Sequence, residues 1–279
     1  MKLFTDLPAF QGVAEGQEAT LNLPLGETYH GILLKRGGGT FNHDHMVSIV
    51  LKINGKPIQD LTGVHLDDMN AFDGAAVGNN TTGLSYISFE RLGLDTQAMR
   101  EATAIGTRDL LQPDPAQPNY NPVRIKTMTL HIKITGATSP TLSAKARLSG
   151  GRVLGAIKKI RKFSLSFTGA GKKEVSDIPL GDQINRIWLF AEGGHLTDVT
   201  LTRDRFEVFN RTELENDFIQ ADGVKAPVGN LFVLDPTELG AGMEAIVTRG
   251  VEDFRLGLTN SQSENITMYV EYLGGLEGN

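Results

Sequence analysis

One five-residue phrase occurs twice in this chain, 155 residues apart. Leu23-Pro24-Leu25-Gly26-Glu27 returns as Ile178-Pro179-Leu180-Gly181-Asp182, and the match holds at the same offset for Gly16 with Gly171, Ile32-Leu33-Leu34 with Ile187-Trp188-Leu189, and Gly38-Gly39 with Gly193-Gly194. A second echo follows at an offset of 149, where Asp68-Met69 meets Asp217-Phe218 and Asp73-Gly74 meets Asp222-Gly223. Two matches at slightly different offsets are what a duplicated domain with small loop insertions gives. The duplication predicts two similar halves, 1–149 and 150–279, meeting near Ser149-Gly150-Gly151. Each is long enough to bury its own core without metals or disulfides.

The period of the halves is two rather than 3.6. Met128, Leu130, Ile132 and Ile134 alternate with Thr129, His131 and Lys133, which gives a strand one apolar and one polar face. Phe254, Leu256 and Leu258 repeat that pattern, as do Ile266, Met268, Val270 and Tyr272. Val47, Ile49, Leu51 and Ile53 form a further run, closed by Asn54-Gly55, a strong two-residue hairpin signal. With 32 glycines as turn punctuation the chain reads as all-β sandwich packing. Helices are few and short: one opening after Leu94-Asp95 and ending near Gly106, and a repeated pair over 64–72 and 213–221. Pro113, Pro115, Pro118 and Pro122 predict an extended loop, and Gly37-Gly38-Gly39 a turn.

Composition narrows the function classes. A net charge of −6 argues against a protein that grips phosphate over its whole surface, so no sequence-specific nucleic acid partner is expected. The absence of cysteine excludes disulfides, zinc-thiolate sites and thiol catalysis. The N-terminus lacks the apolar run of a secretory signal, and no apolar stretch is long enough to cross a bilayer as a helix. Lys158-Lys159-Ile160-Arg161-Lys162 is the densest basic cluster and reads as a solvated connector or subunit contact.

Catalytic signatures are missing. Gly169-Ala170-Gly171-Lys172-Lys173 fails as a phosphate loop, because Lys173 stands where Ser or Thr must bind magnesium. His43-Asp44-His45 would put two imidazoles on one face of a strand, but no third ligand of matching spacing accompanies them, so a plain loop is expected. Asp67, Asp68 and Asp73, with Asp217 and Asp222 in the repeat, could offer oxygen ligands to calcium, although they lack the D-x-D-x-D-G spacing and could equally be capping or surface acids. The expectation is therefore no enzyme and no required cofactor, with calcium the one ion worth testing.

The opening Leu21-Asn22-Leu23-Pro24-Leu25-Gly26-Glu27-Thr28-Tyr29, the segment Thr96 to Thr107 with its Ala104-Ile105-Gly106-Thr107 ending, and the closing Ile266-Thr267-Met268-Tyr269-Val270-Glu271-Tyr272-Leu273-Gly274 touch both halves. In these the chain resembles the double jelly-roll major capsid proteins of tailless icosahedral viruses, within them the corticovirus type of internal-membrane bacteriophages. The resemblance implies two tandem eight-stranded jelly-roll β-sandwiches and a homotrimer of nearly hexagonal outline that tiles a virion shell after synthesis in the host cytoplasm. It also implies penton and membrane-associated virion proteins as partners, and calcium as a link between acidic loops. The arm Met1 to Gln11 would face the internal membrane or pack, through Phe4 and Phe10, beneath a neighbouring barrel. The rival from another class is a tandem β-sandwich carbohydrate-binding or spike protein, which needs an exposed aromatic platform. The chain has one Trp and five Tyr, and Trp188 aligns with a presumed core leucine. A jelly-roll enzyme such as a cupin would need more facing histidines than His43 and His45.

Overall fold

Strand order repeats in this protein as closely as its sequence does. The computed structural model describes residues 2–75, 82–108 and 124–278; the proline-rich stretch from Pro113 to Pro122 lies outside them. The chain folds as two units, the first comprising Met1–Asn70, Ala75–Leu92 and Thr96–Lys159, the second Ala71–Gly74, Gly93–Asp95 and Ile160–Asn279.

The first unit contains β1 (Leu3–Asp6), β2 (Glu18–Asn22), β3 (Thr28–Thr40), β4 (Met46–Ile53), β5 (Lys56–Leu61), α1 (Gly63–Phe72, whose last two residues pack in the second unit), β6 (Leu84–Ser88), α2 (Gln97–Glu101), β7 (Ile105–Gly106), β8 (Met128–Ile134) and β9 (Thr138–Ser149). One sheet runs β1-β9-β3-β6 with β7 also on β3, and the other β2-β8-β4-β5. The second unit contains most of β10 (Ile157–Phe167), then β11 (Gly171–Val175), β12 (Gln183–Ala191), β13 (Leu196–Arg203), β14 (Phe206–Thr212), α3 (Glu213–Gln220), β15 (Leu231–Leu234), β16 (Phe254–Asn260) and β17 (Glu264–Gly274). Its sheets run β10-β17-β12-β15 and β11-β16-β13-β14. β7 aside, replacing each strand of the first unit by its counterpart converts one pair of sheets into the other. These are two jelly rolls.

The period-two reading holds where one face of a strand is wet. β8 alternates buried and half-buried residues along its whole length, with Leu130, Ile132 and Ile134 fully buried. β4 departs from it at one end: a bulge between Met46 and Ser48 shifts the phase, so Met46 takes the buried position and Val47 is exposed. β12 and β17 are buried on both faces. Ile184, Ile187, Leu189 and Ala191 enter the core of the second jelly roll, while Arg186, Trp188 and Phe190 are buried on the opposite side. Tyr269 and Glu271, which alternation assigns to a polar face, are buried as well. Trp188 and its counterpart Leu33 therefore lie on outer sheet faces, not in a sandwich core.

Other expectations change in instructive ways. Gly37 to Gly39 continue β3 as a strand, because the ladder with β9 extends to Thr40 opposite Thr138. The helix expected over 96–106 is only α2, capped by Thr96, whose Oγ1 accepts the Met99 N–H; Ile105-Gly106 instead pair with β3. The basic cluster lies on β10 and not in a connector, with Lys158 and Lys159 buried and the Lys158 ammonium donating to the Glu90 carbonyl. The Asn54-Gly55 hairpin forms with both residues at positive φ, 51° and 79°. Its counterpart, Asp204-Arg205, adopts the same conformation (49° and 74°) without a glycine. Each turn is tied to the next strand by one side chain: Asn54 Oδ1 accepts the N–H groups of Lys126 and Thr127, and Asp204 Oδ1 those of Glu252 and Asp253.

Candidate functional site

The duplicated phrase itself forms a turn entering β3 in one unit and β12 in the other. Gly26 and Gly181 sit at φ 118° and 132°, a backbone region that residues with a Cβ rarely adopt. Each turn is strapped by a buried threonine. Thr107 Oγ1 accepts the Gly26 N–H at 2.8 Å and donates to the Glu27 carbonyl at 2.6 Å. Thr248 Oγ1 accepts the Gly181 N–H at 2.8 Å and donates to the Asp182 carbonyl at 2.5 Å. A tyrosine closes each turn from the other side: Tyr29 donates to the Pro24 carbonyl and Tyr272 to the Pro179 carbonyl. Burial pushes both phenols well above their usual pKa, so both remain donors. The turns are legible in the sequence, whereas the strap is not. Ala104-Ile105-Gly106-Thr107 and Ala245-Ile246-Val247-Thr248 are the signal for it, at an offset of 141 that unequal loops had displaced. Thr107→Val and Thr248→Val should each cost about 1–3 kcal/mol by leaving the Gly26 or Gly181 N–H without its acceptor, read as losses in urea unfolding, the Glu27 carbonyl alone keeping a second donor in the Thr107 N–H; a silent change at either position would contradict equivalence of the straps.

The second unit also holds a buried ionic centre. Arg186 places Nη1 2.6 Å from Asp73 Oδ1 and Nε 2.8 Å from Asp235 Oδ2, with its guanidinium over the rings of Trp188 and Phe72. Desolvation opposes its charge, but Asp235, Asp73 and Glu271 outweigh that and raise its pKa. Lys225 is buried beside it, donating to the Glu238 carbonyl at 2.5 Å and standing 3.8 Å from Asp235. Glu271 accepts from Asn185 at 2.5 Å, and Asp235 caps Thr237. Because Trp188 is buried here against Phe72 (5.4 Å, edge to face), the chain's one tryptophan offers no exposed sugar platform.

The five acids considered for calcium do not converge. Asp67, on α1, binds His43 Nδ1 at 2.9 Å and accepts from Ser85; Asp68 beside it is half-buried. Desolvation pushes both carboxyls above the usual range. Asp73 serves Arg186. Asp217 is partly buried with its pKa raised, and Asp222 accepts the N–H groups of Val224 and Lys225, which outweigh desolvation and hold it low. Among the described residues no three His, Asp or Glu side chains form a set that could hold a metal ion. His43 and His45 lie on a 3₁₀ turn, where His45 Nδ1 accepts the Asn42 N–H, and not side by side on a strand.

Exposed apolar surface is concentrated in the second unit. Phe206 and Val208 on edge strand β14, Leu214, Phe218 and Ile219 on α3, and Val224, Leu239, Met243 and Val247 in loops are all solvent-facing. The first unit exposes Leu3, Phe4, Leu25 and Val47. Part of the second-unit surface forms a cleft of about 410 Å³ between Val208, Phe209, Arg211, Pro236, Met243 and Val247. In the N-terminal arm, Phe10 is buried and Gln11 bridges to Thr20, while Phe4 stays exposed on β1.

Two jelly rolls of matching strand order in one chain, strapped by matching turns, define the class of double jelly-roll coat proteins. The chain belongs to the viral coat protein P2 family: the model of the P2 N-terminal domain matches residues 4–149 and that of the C-terminal domain residues 157–276. It is 23% identical over 280 residues to the major capsid protein P2 of Pseudoalteromonas phage PM2, covering 98% of this chain and 97% of that protein. The crystal structure of that PM2 protein superposes with a TM-score of 0.86 at 22% identity over the full length of both chains. The fold is shared with Sulfolobus turreted icosahedral virus (TM-score 0.69, 11% identity, 99% of this chain and 91% of that one) and with the PBCV-1 capsid (TM-score 0.62, 10% identity, 100% and 97%). Its place is in a virion capsid.

Proposed function

We propose that this chain is the major capsid subunit of a tailless icosahedral bacteriophage with an internal membrane, and that it acts mechanically, as a homotrimer, with no catalytic role. The observation that carries the reading is the duplication in three dimensions: two jelly rolls with the same sheet order and the same threonine-strapped turns. Three such chains give six similar edges around a three-fold axis, which lets a trimer tile a lattice as a near-hexagon. The concentration of exposed apolar side chains on α3, β14 and the loops after β15 supports large subunit contacts, of the roughly 2,000 Å² or more typical of obligate interfaces. Calcium enters this reading as a link between copies, since the acids that could ligate it are dispersed within one chain. Penton and membrane-associated virion proteins complete the shell.

Light scattering on the purified protein, with and without calcium, tests the proposal. The expected species has the mass of three 30.2 kDa chains, or of larger closed assemblies. A monomer at every concentration would overturn it.

A further inference from the structure

We propose that the tip after α3, Ala221 to Val224, of one copy docks on the outer face of the β1-β9-β3-β6 sheet of a second copy, around Leu33 and Arg147. This rests on the homotrimer reading above and names the two surfaces that close the ring.

The template lies inside the second unit. There the end of α1, Phe72-Asp73-Gly74, packs on the outer face of the β10-β17-β12-β15 sheet: Phe72 edge-on to Trp188, Asp73 on Arg186. Duplication supplies the counterpart of every participant. Phe72-Asp73-Gly74 corresponds to Ala221-Asp222-Gly223, and Gly74 and Gly223 share a positive φ of 63° and 86°. Trp188 corresponds to Leu33. Arg186 corresponds to Gly31, where any side chain would collide with Tyr86, whose Oη lies 2.2 Å from an added Cβ.

The arginine is not lost but moved one strand over. In the second unit Arg186 stands opposite Glu271 in the ladder; in the first, Gly31 stands opposite Arg147, on the same outer face. A receiving face for an acidic tip is thus present in the first unit, with the guanidinium on β9 in place of β12. Ladder register puts Phe4, Tyr86, Lys35 and Lys145 on this face too. Its acids are Asp6, paired with Lys145 at 3.1 Å, and Glu90, 3.5 Å from Arg147.

The tip is complementary. Glu213, Glu215, Asp217 and Asp222 make α3 and its end acidic; of the cations beside them, Lys225 is buried and Arg211 is paired with Glu238 at 2.7 Å. The second half also lacks a cover that the first half has: Met69 is 6% exposed, whereas its counterpart Phe218 is 83% exposed. The sheet face shows the converse. Trp188 is buried in the second unit, while Leu33 is half-exposed and Phe4 on the same face is exposed. A contact of two different patches is heterologous, and such contacts close into rings when the rotation allows.

The chain has no cysteine, so Leu33→Cys with Ala221→Cys introduces the only two thiols. Oxidation should give covalent dimers and trimers on a non-reducing denaturing gel, collapsing to single chains with reductant. Chains that stay single, or close only on themselves, while light scattering still reports three per particle would overturn the docking and leave the trimer standing. A monomer in scattering would overturn both. Should the double variant not fold, Ala221→Arg at an exposed position gives the second test: it should convert the trimer to single chains, and an unchanged mass would refute the docking.

Discussion

Arg186→Ala should unfold the second jelly roll at markedly lower urea concentration, with a loss of about 3–5 kcal/mol. The size follows from what remains. Asp73, Asp235 and Glu271 converge on Arg186 and are themselves almost or wholly buried, with Lys225 standing 3.8 Å from Asp235. Deleting a single partner from a desolvated cluster leaves uncompensated charge, which costs far more than the intact cluster contributes relative to apolar packing. Arg186→Lys keeps the charge but cannot reach two carboxylates with a rigid fork, so it should recover only part of the loss. Trp188 gives the measurement a local reporter, since the guanidinium lies 5.5 Å from its ring and no second tryptophan competes. A fluorescence midpoint within about 0.5 kcal/mol of the parent would mean that the cluster carries no such dependence.

The second large effect belongs to the first jelly roll. Ile132, fully buried on β8, stands opposite Ala19 on β2 and Ile49 on β4, both buried. Ile132→Asp puts a carboxylate among apolar neighbours with no counter-charge, a cost of several kcal/mol or forced protonation, so the variant should be soluble only at low yield or melt far below the parent. Lys133→Asp, one residue on, removes a hydrogen bond from Nζ to the Gly16 carbonyl and sets a second acid opposite Glu18. Its cost should be about 1 kcal/mol or less. Equal melting temperatures for the two variants would mean that the strand is out of phase.

These two sites also mark how far the amino-acid sequence could be read. β8 was legible because one of its faces is wet, so burial alternates and the letters alternate with it. At β17 the same alternation misleads: Glu271 and Tyr269 look like a solvent face but are buried, since Glu271 finds Asn185, 86 residues away, and Tyr269 stacks edge-on with Phe190. The ionic centre was invisible for the same reason. Asp73 appeared only as a surface acid or calcium ligand, because its partner Arg186 lies 113 residues further on. The threonine straps were half legible. Their turns repeat in register with the flanking strands, but Thr107 and Thr248 arrive after loops of different length.

The sequence by itself determined that this chain is a duplication, that its halves are built of strands, and where Asn54-Gly55 and the Pro-Leu-Gly turns must bend, because turn chemistry and period-two patterning act over a few residues. Only the tertiary structure decided which sheet faces are covered, that Asp204-Arg205 would turn without a glycine, that Arg186 would be buried among three carboxylates, and that Phe218 would be left bare where Met69 is enclosed. Those outcomes depend on contacts between residues far apart in the chain, 48 positions for Asp204 with Glu252 and 113 for Asp73 with Arg186, and their energies leave no mark on the local pattern of the chain.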